Sequence, residues 1–423
     1  MDLFETIRAP MVRLSLTIFR KGSQAIPSDH KGIFATLFFI IFSTITGVGI
    51  VVPLLPIYAH DLGASGFYVA MIFGSFSISR VFLLPYFGRL SDQKGRKPFI
   101  LAGLIFYTLI SMAFVFSDTV EGLIVIRFIQ GAGSAMIMPV VQAYVGEITP
   151  KGSEGYAMGL FNLSMFLSLS LGPILGGVIT DIWHMDAAFL CMGLLSFVGV
   201  LLCVILLPPL SEERLRSGHQ PLQIPWALVI RDRELFGLFS FRFAYTACIG
   251  AIWSFLPLFG AQMFGQSGAR IGLLVTLGVF ISGILQLPMG YAADRISRQA
   301  MTVLGGIIVT VSMGWIYFAA SFLDLIAAVS LFGVGGGIAM PAVTALAVVN
   351  GEQKKAMGSV MAILTVAHSL GMLTGSLAAG MAMDFFSLRL AFPVAGLVMA
   401  LGTLVFILVH FSTKLPQNQG KNR

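Results

Sequence analysis

The sequence predicts an all-α polytopic membrane protein whose twelve transmembrane helices form two pseudo-symmetric bundles of six, and three observations predict it. Of the 423 residues, 57% are hydrophobic and 11% charged, with a mean hydropathy of +0.91, whereas soluble domains carry about 25% charged residues. No formal charge falls between Asp324 and Glu352, between Lys355 and Asp384, or between Arg389 and Lys414. Each stretch exceeds the roughly 20 residues with which a helix crosses about 30 Å of hydrocarbon. The chain also repeats itself: a shift of 202 lays Gly88, Asp92 and Arg96 on Gly290, Asp294 and Arg298, and Gly131, Gly133, Pro139 and Ala143 on Gly333, Gly335, Pro341 and Ala345. A shift of 199 then lays Gly172 and Gly176 on Gly371 and Gly375. A porin-like barrel is excluded, because its strands alternate apolar and polar over about 10 residues and these runs are apolar on every face.

Charges, Gly/Pro clusters and run lengths divide the chain in order. Residues 1–32 are a leader carrying Arg8, Arg13, Arg20, Lys21 and Lys31, and the long apolar run behind it reads as an uncleaved first span rather than a signal peptide. The first bundle, 33–207, holds span one at 33–58, closed by Pro53 and Pro56, then span two at 67–87 before a charged loop, and span three at 99–116. Spans four, five and six follow at 122–146, 156–179 and 187–207. The long polar connection 208–234 is a linker to the second bundle, 235–411, with spans seven to twelve at 235–259, 271–289, 301–320, 325–349, 356–383 and 391–411, and 412–423 is a tail.

Lys and Arg set the orientation. Of 26, 21 fall at the termini or in loops on the termini's side, two (Arg270, Arg389) on the other side, and three (Arg80, Arg127, Arg242) within spans. Both termini are therefore expected in the cytoplasm, with the protein embedded in a bacterial inner membrane. The net charge of +7 is spread over short loops, which argues against a nucleic-acid partner. Cys191 and Cys203, twelve residues apart on one helix, would be separated by about 18 Å, too far for a disulfide. Because each half has an even number of spans, the repeat is parallel, an arrangement that places a cavity between two bundles able to rock.

Between spans two and three stands Gly88-Arg-Leu-Ser-Asp92-Gln-Lys-Gly95-Arg96-Lys97-Pro98, read as a tight loop with glycines at its bends and echoed by Gly290, Asp294 and Arg298. This loop resembles the signature of the major facilitator superfamily, G-x-L-x-D-x-x-G-R-[KR]. The resemblance, which spans about residues 33 to 411, implies a conformational switch: Asp92 meets the N-terminal end of span eleven, near Ala356, and Arg96 bridges to Glu147. Such a charge at a helix N-terminus is worth about 0.3 to 1 kcal/mol. In span four, Arg127-Phe-Ile-Gln130-Gly131-Ala-Gly133 resembles a second superfamily signature, with Gly131 and Gly133 serving close helix packing. Arg127 has Val329 as its repeat partner. It is either a functional charge or a guanidinium that snorkels to the surface.

Span five carries Ser168-Leu-Ser-Leu-Gly172-Pro173-Ile-Leu-Gly176-Gly177, which resembles the superfamily's exporter signature G-x-x-x-G-P-x-x-G-G with Ser168 in place of its first glycine. A bend or seal is the implied role, a plain structural kink the alternative. The Gly47 to Tyr58 segment is similar to the tetracycline and multidrug exporters, many of which carry an acid where this chain has Thr44.

None of the 19 carboxylates falls inside a span. His368 is thus the one mid-depth candidate for loading a proton, unless it is a packed histidine. Arg80 and Arg242 lie near enough to one membrane boundary to snorkel, yet where they reach a cavity they make it positive and suited to anionic or neutral amphiphiles. Depth and the resemblance place Phe38, Phe42, Gln130, Met136, Gln142, Tyr245, Trp253, Gln286 and Met340 around it. No ATP-binding loop, zinc motif or catalytic set is present, so neither a cofactor nor a metal is expected. The resemblance implies a monomeric secondary transporter, with proton-coupled export of a small organic substrate the leading expectation. Import of an organic anion and a non-transporting sensor or embedded enzyme are the alternatives.

Overall fold

The computed structural model describes residues 28–149, 154–208, 232–354 and 357–411. Most of the leader, the middle of the linker, the tail, Lys355 and Ala356 lie outside the described residues. Among those described, there is no strand, and twelve helices are long and apolar enough to cross a membrane.

Span one runs Ser28–Val51, breaks at 52–54 beside Pro53, and continues as Leu55–Asp61. Spans two to six are Gly66–Lys94, Arg96–Val115, Val120–Ile148, Glu154–Ile182 and Met185–Leu206. Spans seven to twelve are Arg233–Phe264, Gly268–Ala293, Arg298–Phe318, Phe322–Gln353, Met357–Phe385 and Ala391–Phe411. Most outrun the expected limits because charge marks where apolar surroundings end, while backbone hydrogen bonding continues past that point.

The clearest correction is the expected Gly88–Pro98 loop. Span two stays helical to Lys94, span three starts at Arg96, and the turn is one residue, Gly95, at φ +93°. Only glycine takes that backbone conformation without strain. Span five also stays a single helix through Pro173, so the Gly-Pro segment does not break it.

Within the first bundle span one packs on spans five and six, span two on four, and span three on four and six; spans seven to twelve repeat the same pairings. Small residues set these contacts, as they do where lipid removes any hydrophobic drive between helices. A Cβ on Gly176 would sit 2.2 Å from the Ile50 carbonyl oxygen, and one on Gly375, its repeat partner, 2.1 Å from that of Ala247. Gly131 and Gly133 likewise press span four onto Phe76 of span two and Tyr107 of span three. Outward, Leu397, Leu401, Leu404 and Leu408 form an exposed apolar stripe at helical spacing on span twelve, a surface suited to lipid.

Gly375→Ala tests the packing. Alanine is intrinsically the better helix former by about 1 kcal/mol, yet the added methyl meets backbone. The variant should lose thermal stability by about 1 to 3 kcal/mol, read as a lower unfolding midpoint in detergent; an unchanged or higher midpoint contradicts the contact.

Candidate functional site

The two bundles meet along two crossings, span five on span eight and span two on span eleven. Both are closed at the face where spans two and eight begin, here termed the Asp384 face. A Cβ on Gly177 would lie 2.0 Å from the Gly268 carbonyl oxygen, and one on Gly380 2.4 Å from that of Gly66. Backbones therefore touch across the seam. A carboxylate finishes each crossing. Asp181 accepts from Gly268 N and Ala269 N at 2.8 and 2.9 Å, and Asp384 accepts from Gly66 N and Phe67 N at 2.6 and 2.7 Å. These amides are the unpaired donors at a helix start, and the positive end of the helix dipole favours the acid there.

Gly66 and Gly268 are 202 residues apart, so the two helix starts are copies under the repeat, while Asp181 and Asp384, 203 apart where spans five and eleven are shifted by 199, stand four residues out of register. Gln262 Nε2 lies 2.5 Å from His60 Nε2, and Thr276 donates to the Ser170 carbonyl at 2.7 Å, extending the closure inward. Hydrogen bonds between described residues of different bundles all fall in this half of the molecule. An apolar pocket lies along the same seam, lined by Gly49, Pro53, Pro173, Trp253, Val275 and Val279 among others.

At the opposite, Gly95 face, the switch residues make their contacts with described residues inside their own bundles. Arg96 is 6% exposed and binds Asp92 at 2.5 Å, Ser91 Oγ at 2.7 Å and Glu147 Oε1 at 2.7 Å. Lys97 donates to the Val204 carbonyl at 3.2 Å. The second-half echo is looser: Arg298 reaches Asp294 at 3.3 Å and the Ala293 carbonyl at 3.0 Å. A Cβ on Gly88 or Gly290 would meet nothing within 4 Å, leaving open space beside both. The expected partner of Asp92 near Ala356 lies outside the described residues.

At mid-depth the arginines part company. Arg127 is 3% exposed, donates to the Ile72 carbonyl at 3.3 Å and to Gln130 Oε1 at 2.6 Å, and lies 4.5 Å from the centre of the Phe76 ring. It does not snorkel; with Gln130, which reaches Met192 Sδ at 3.6 Å, it sits in the first bundle's interior. Arg242 is different. Its Nη1 points at Met340 Sδ at 2.7 Å and its Nη2 lies 3.4 Å from His368 Nδ1, while its Nε has no partner. Tyr245 is buried, stacked 5.8 Å from Phe332 with its hydroxyl against Gly336. Gln142 is exposed.

Three groups escaped sequence reasoning as site residues. Asp181 and Asp384 looked like ordinary loop acids, although the 202-residue spacing of Gly66 and Gly268 was a legible signal. Arg80 was noted but not placed in the pathway; it sits at the middle of span two with its Nε buried and unpartnered.

Two six-helix bundles related by a parallel repeat and closed against each other on one side define a polytopic membrane transporter of small molecules. The chain belongs to the Major Facilitator Superfamily, whose sequence profile matches residues 37–347 and 242–423. It is 27% identical over 353 residues to the uncharacterized MFS-type transporter MJ1560 of Methanocaldococcus jannaschii, covering 82% of this chain and 90% of that one. It is 25% identical over 407 residues to the quinolone resistance protein NorA of Staphylococcus aureus (strain Mu50), covering 92% and 99%. Its fold matches that of a bacterial homologue of the human lysosomal transporter Spinster in an inward-facing, occupied conformation, with a TM-score of 0.74, 11% identity, and 89% and 96% of the two chains covered.

Asp384→Asn should weaken the seal by removing the charge and one of two acceptors. Hydrogen bonds to a charged group are worth about 1.5 to 3 kcal/mol, so the conformation open at the Asp384 face should gain about ten-fold or more in population. Gly177→Ala should act in the same direction. A spin-label distance between positions 183 and 263 reads the change, and an unaltered distance distribution in both variants contradicts the seal.

Proposed function

We infer that this chain is a proton-driven exporter of small organic molecules, working by alternating access between its two bundles. The observation that carries the reading is the one-sided closure: spans five and eight and spans two and eleven are pinned at the Asp384 face, while among the described residues the hydrogen bonds and ion pairs at the Gly95 face stay within each bundle. The distribution of Lys and Arg makes the Gly95 face cytoplasmic, with both termini on that side. The described state is then the one that loads cargo from the cell interior. Similarity to NorA and the exporter-like segment at Gly172-Pro173 support outward movement, and Asp92 with Arg96 and Glu147 acts as the switch that engages when the cytoplasmic side shuts.

Coupling runs through His368, since the carboxylates are confined to span ends. Its Nδ1 faces the Arg242 guanidinium at 3.4 Å, a contact in which the ring must accept. A proton on Nδ1 and the arginine contact exclude one another, the exchange logic an antiporter needs. A second reading, a carrier of organic anions that works inward or without a proton gradient, is favoured by the unpaired donors of Arg80 and Arg242.

Purified protein in liposomes, given an imposed proton gradient and a panel of fluorescent dyes of differing charge, tests the first reading. Uphill dye movement that collapses with the gradient is expected. Strictly downhill, gradient-independent movement overturns it. His368→Gln should abolish uphill movement and keep downhill exchange, and Asp92→Ala should lower transport at least ten-fold, roughly 1.4 kcal/mol, at unchanged insertion.

A further inference from the structure

We propose that Arg80 and Arg242, converging on His368 from the two bundles, hold the anionic group of the cargo: a carboxylate, sulfonate or phosphate ester on an apolar body. This rests on the transport reading above and names the substrate class for it, without depending on the direction of movement.

The three arginines inside the spans differ in what satisfies them. Arg127 has a carbonyl, an amide oxygen and two aromatic rings. Arg242 has a thioether and a neutral imidazole, neither of which carries negative charge, and its Nε is buried without a partner. Arg80 lies over the Phe76 ring, with 5.9 Å from its guanidinium carbon to the ring centre, and its Nε is likewise buried and unpartnered. Spans two and eleven run against each other with Gly66 on Gly380 and Gly74 beside Leu373, a register that carries Arg80 of span two toward His368, the ring that Arg242 of span seven reaches at 3.4 Å.

Snorkelling does not account for Arg80, because its Nε is buried without a partner at the middle of span two, Gly66–Lys94. Nor do carboxylates compensate the pair, because all 19 stand at the ends of spans or in connections. Two cations at mid-depth with unused donors and no counter-charge are a costly arrangement for a protein to keep empty. An oxyanion is the complementary chemistry, since the planar guanidinium fork binds two such oxygens at once. Phe76 and Met340 beside the two arginines suit an apolar body attached to it. Because one arginine comes from each bundle, the grip on the anion changes whenever the bundles move against each other.

Calorimetric titration of the full chain in lipid nanodiscs tests this with three probes sharing one ring: naphthalene-1-sulfonate, the neutral naphthalene-1-methanol and the cationic naphthalene-1-methylammonium, each corrected by empty nanodiscs. The sulfonate should bind about ten-fold or more tightly than the methanol. Arg80→Gln and Arg242→Gln should each erase that preference while the methanol affinity holds, and Arg80→Lys and Arg242→Lys should keep most of it. Equal affinity for all three probes, or a proportional loss of sulfonate and methanol binding in the Gln variants while the Lys variants bind normally, overturns the site. Liposome transport separates the two readings. Charge-selective binding without movement of the sulfonate leaves the site standing and ends the transport reading; carriage of the neutral or cationic probe equally by the wild type and both Gln variants does the reverse.

Discussion

Backbone contact across lipid-embedded helices is the constraint on which this molecule depends. In hydrocarbon, side chains gain nothing by leaving one apolar neighbour for another, so helices hold together only where they come close enough for dispersion and polar groups to act. Glycine supplies that closeness at two kinds of place. Gly176 and Gly375 press spans five and eleven onto spans one and seven inside the bundles, while Gly177 and Gly380 press the same two spans onto the opposite bundle. On each of the two helices one glycine thus serves a contact inside the bundle and another a contact across the seam.

The overall architecture was readable because it follows from hydropathy, charge placement and the repeat, all of which are properties of sequence alone. The helix ends were less so. Lys94 and Arg96 look like loop residues by composition, but a single glycine makes the turn between them, and only backbone geometry distinguishes a charged helix end from a loop. The seam was the least legible part. Asp181 and Asp384 carry no local pattern, because their partners are amides some 90 to 320 residues away. The surroundings of Arg127 were hidden for a related reason: the Ile72 carbonyl that meets it lies 55 residues away, on another span.

Electrostatics also divides the molecule by depth. At the Gly95 face, Arg96 is enclosed by Asp92, Ser91 and Glu147, and charge is balanced locally. At the Asp384 face, acids are balanced by helix starts. In between, positive charge stands without an acid. The sign of the middle region is set by arginine, and it is flanked by two zones in which these charges are engaged.

The paired carboxylate caps have a mechanical meaning. Two rigid bodies fastened at one point can still swing in any direction, but fastened at two they retain a single rotation, about the line joining the fastenings. Under the alternating motion proposed above, Asp181 and Asp384 both engaged leave the halves that axle alone, which widens or narrows the mouth at the Gly95 face. Letting go of either pin restores the swing by which the other mouth can open.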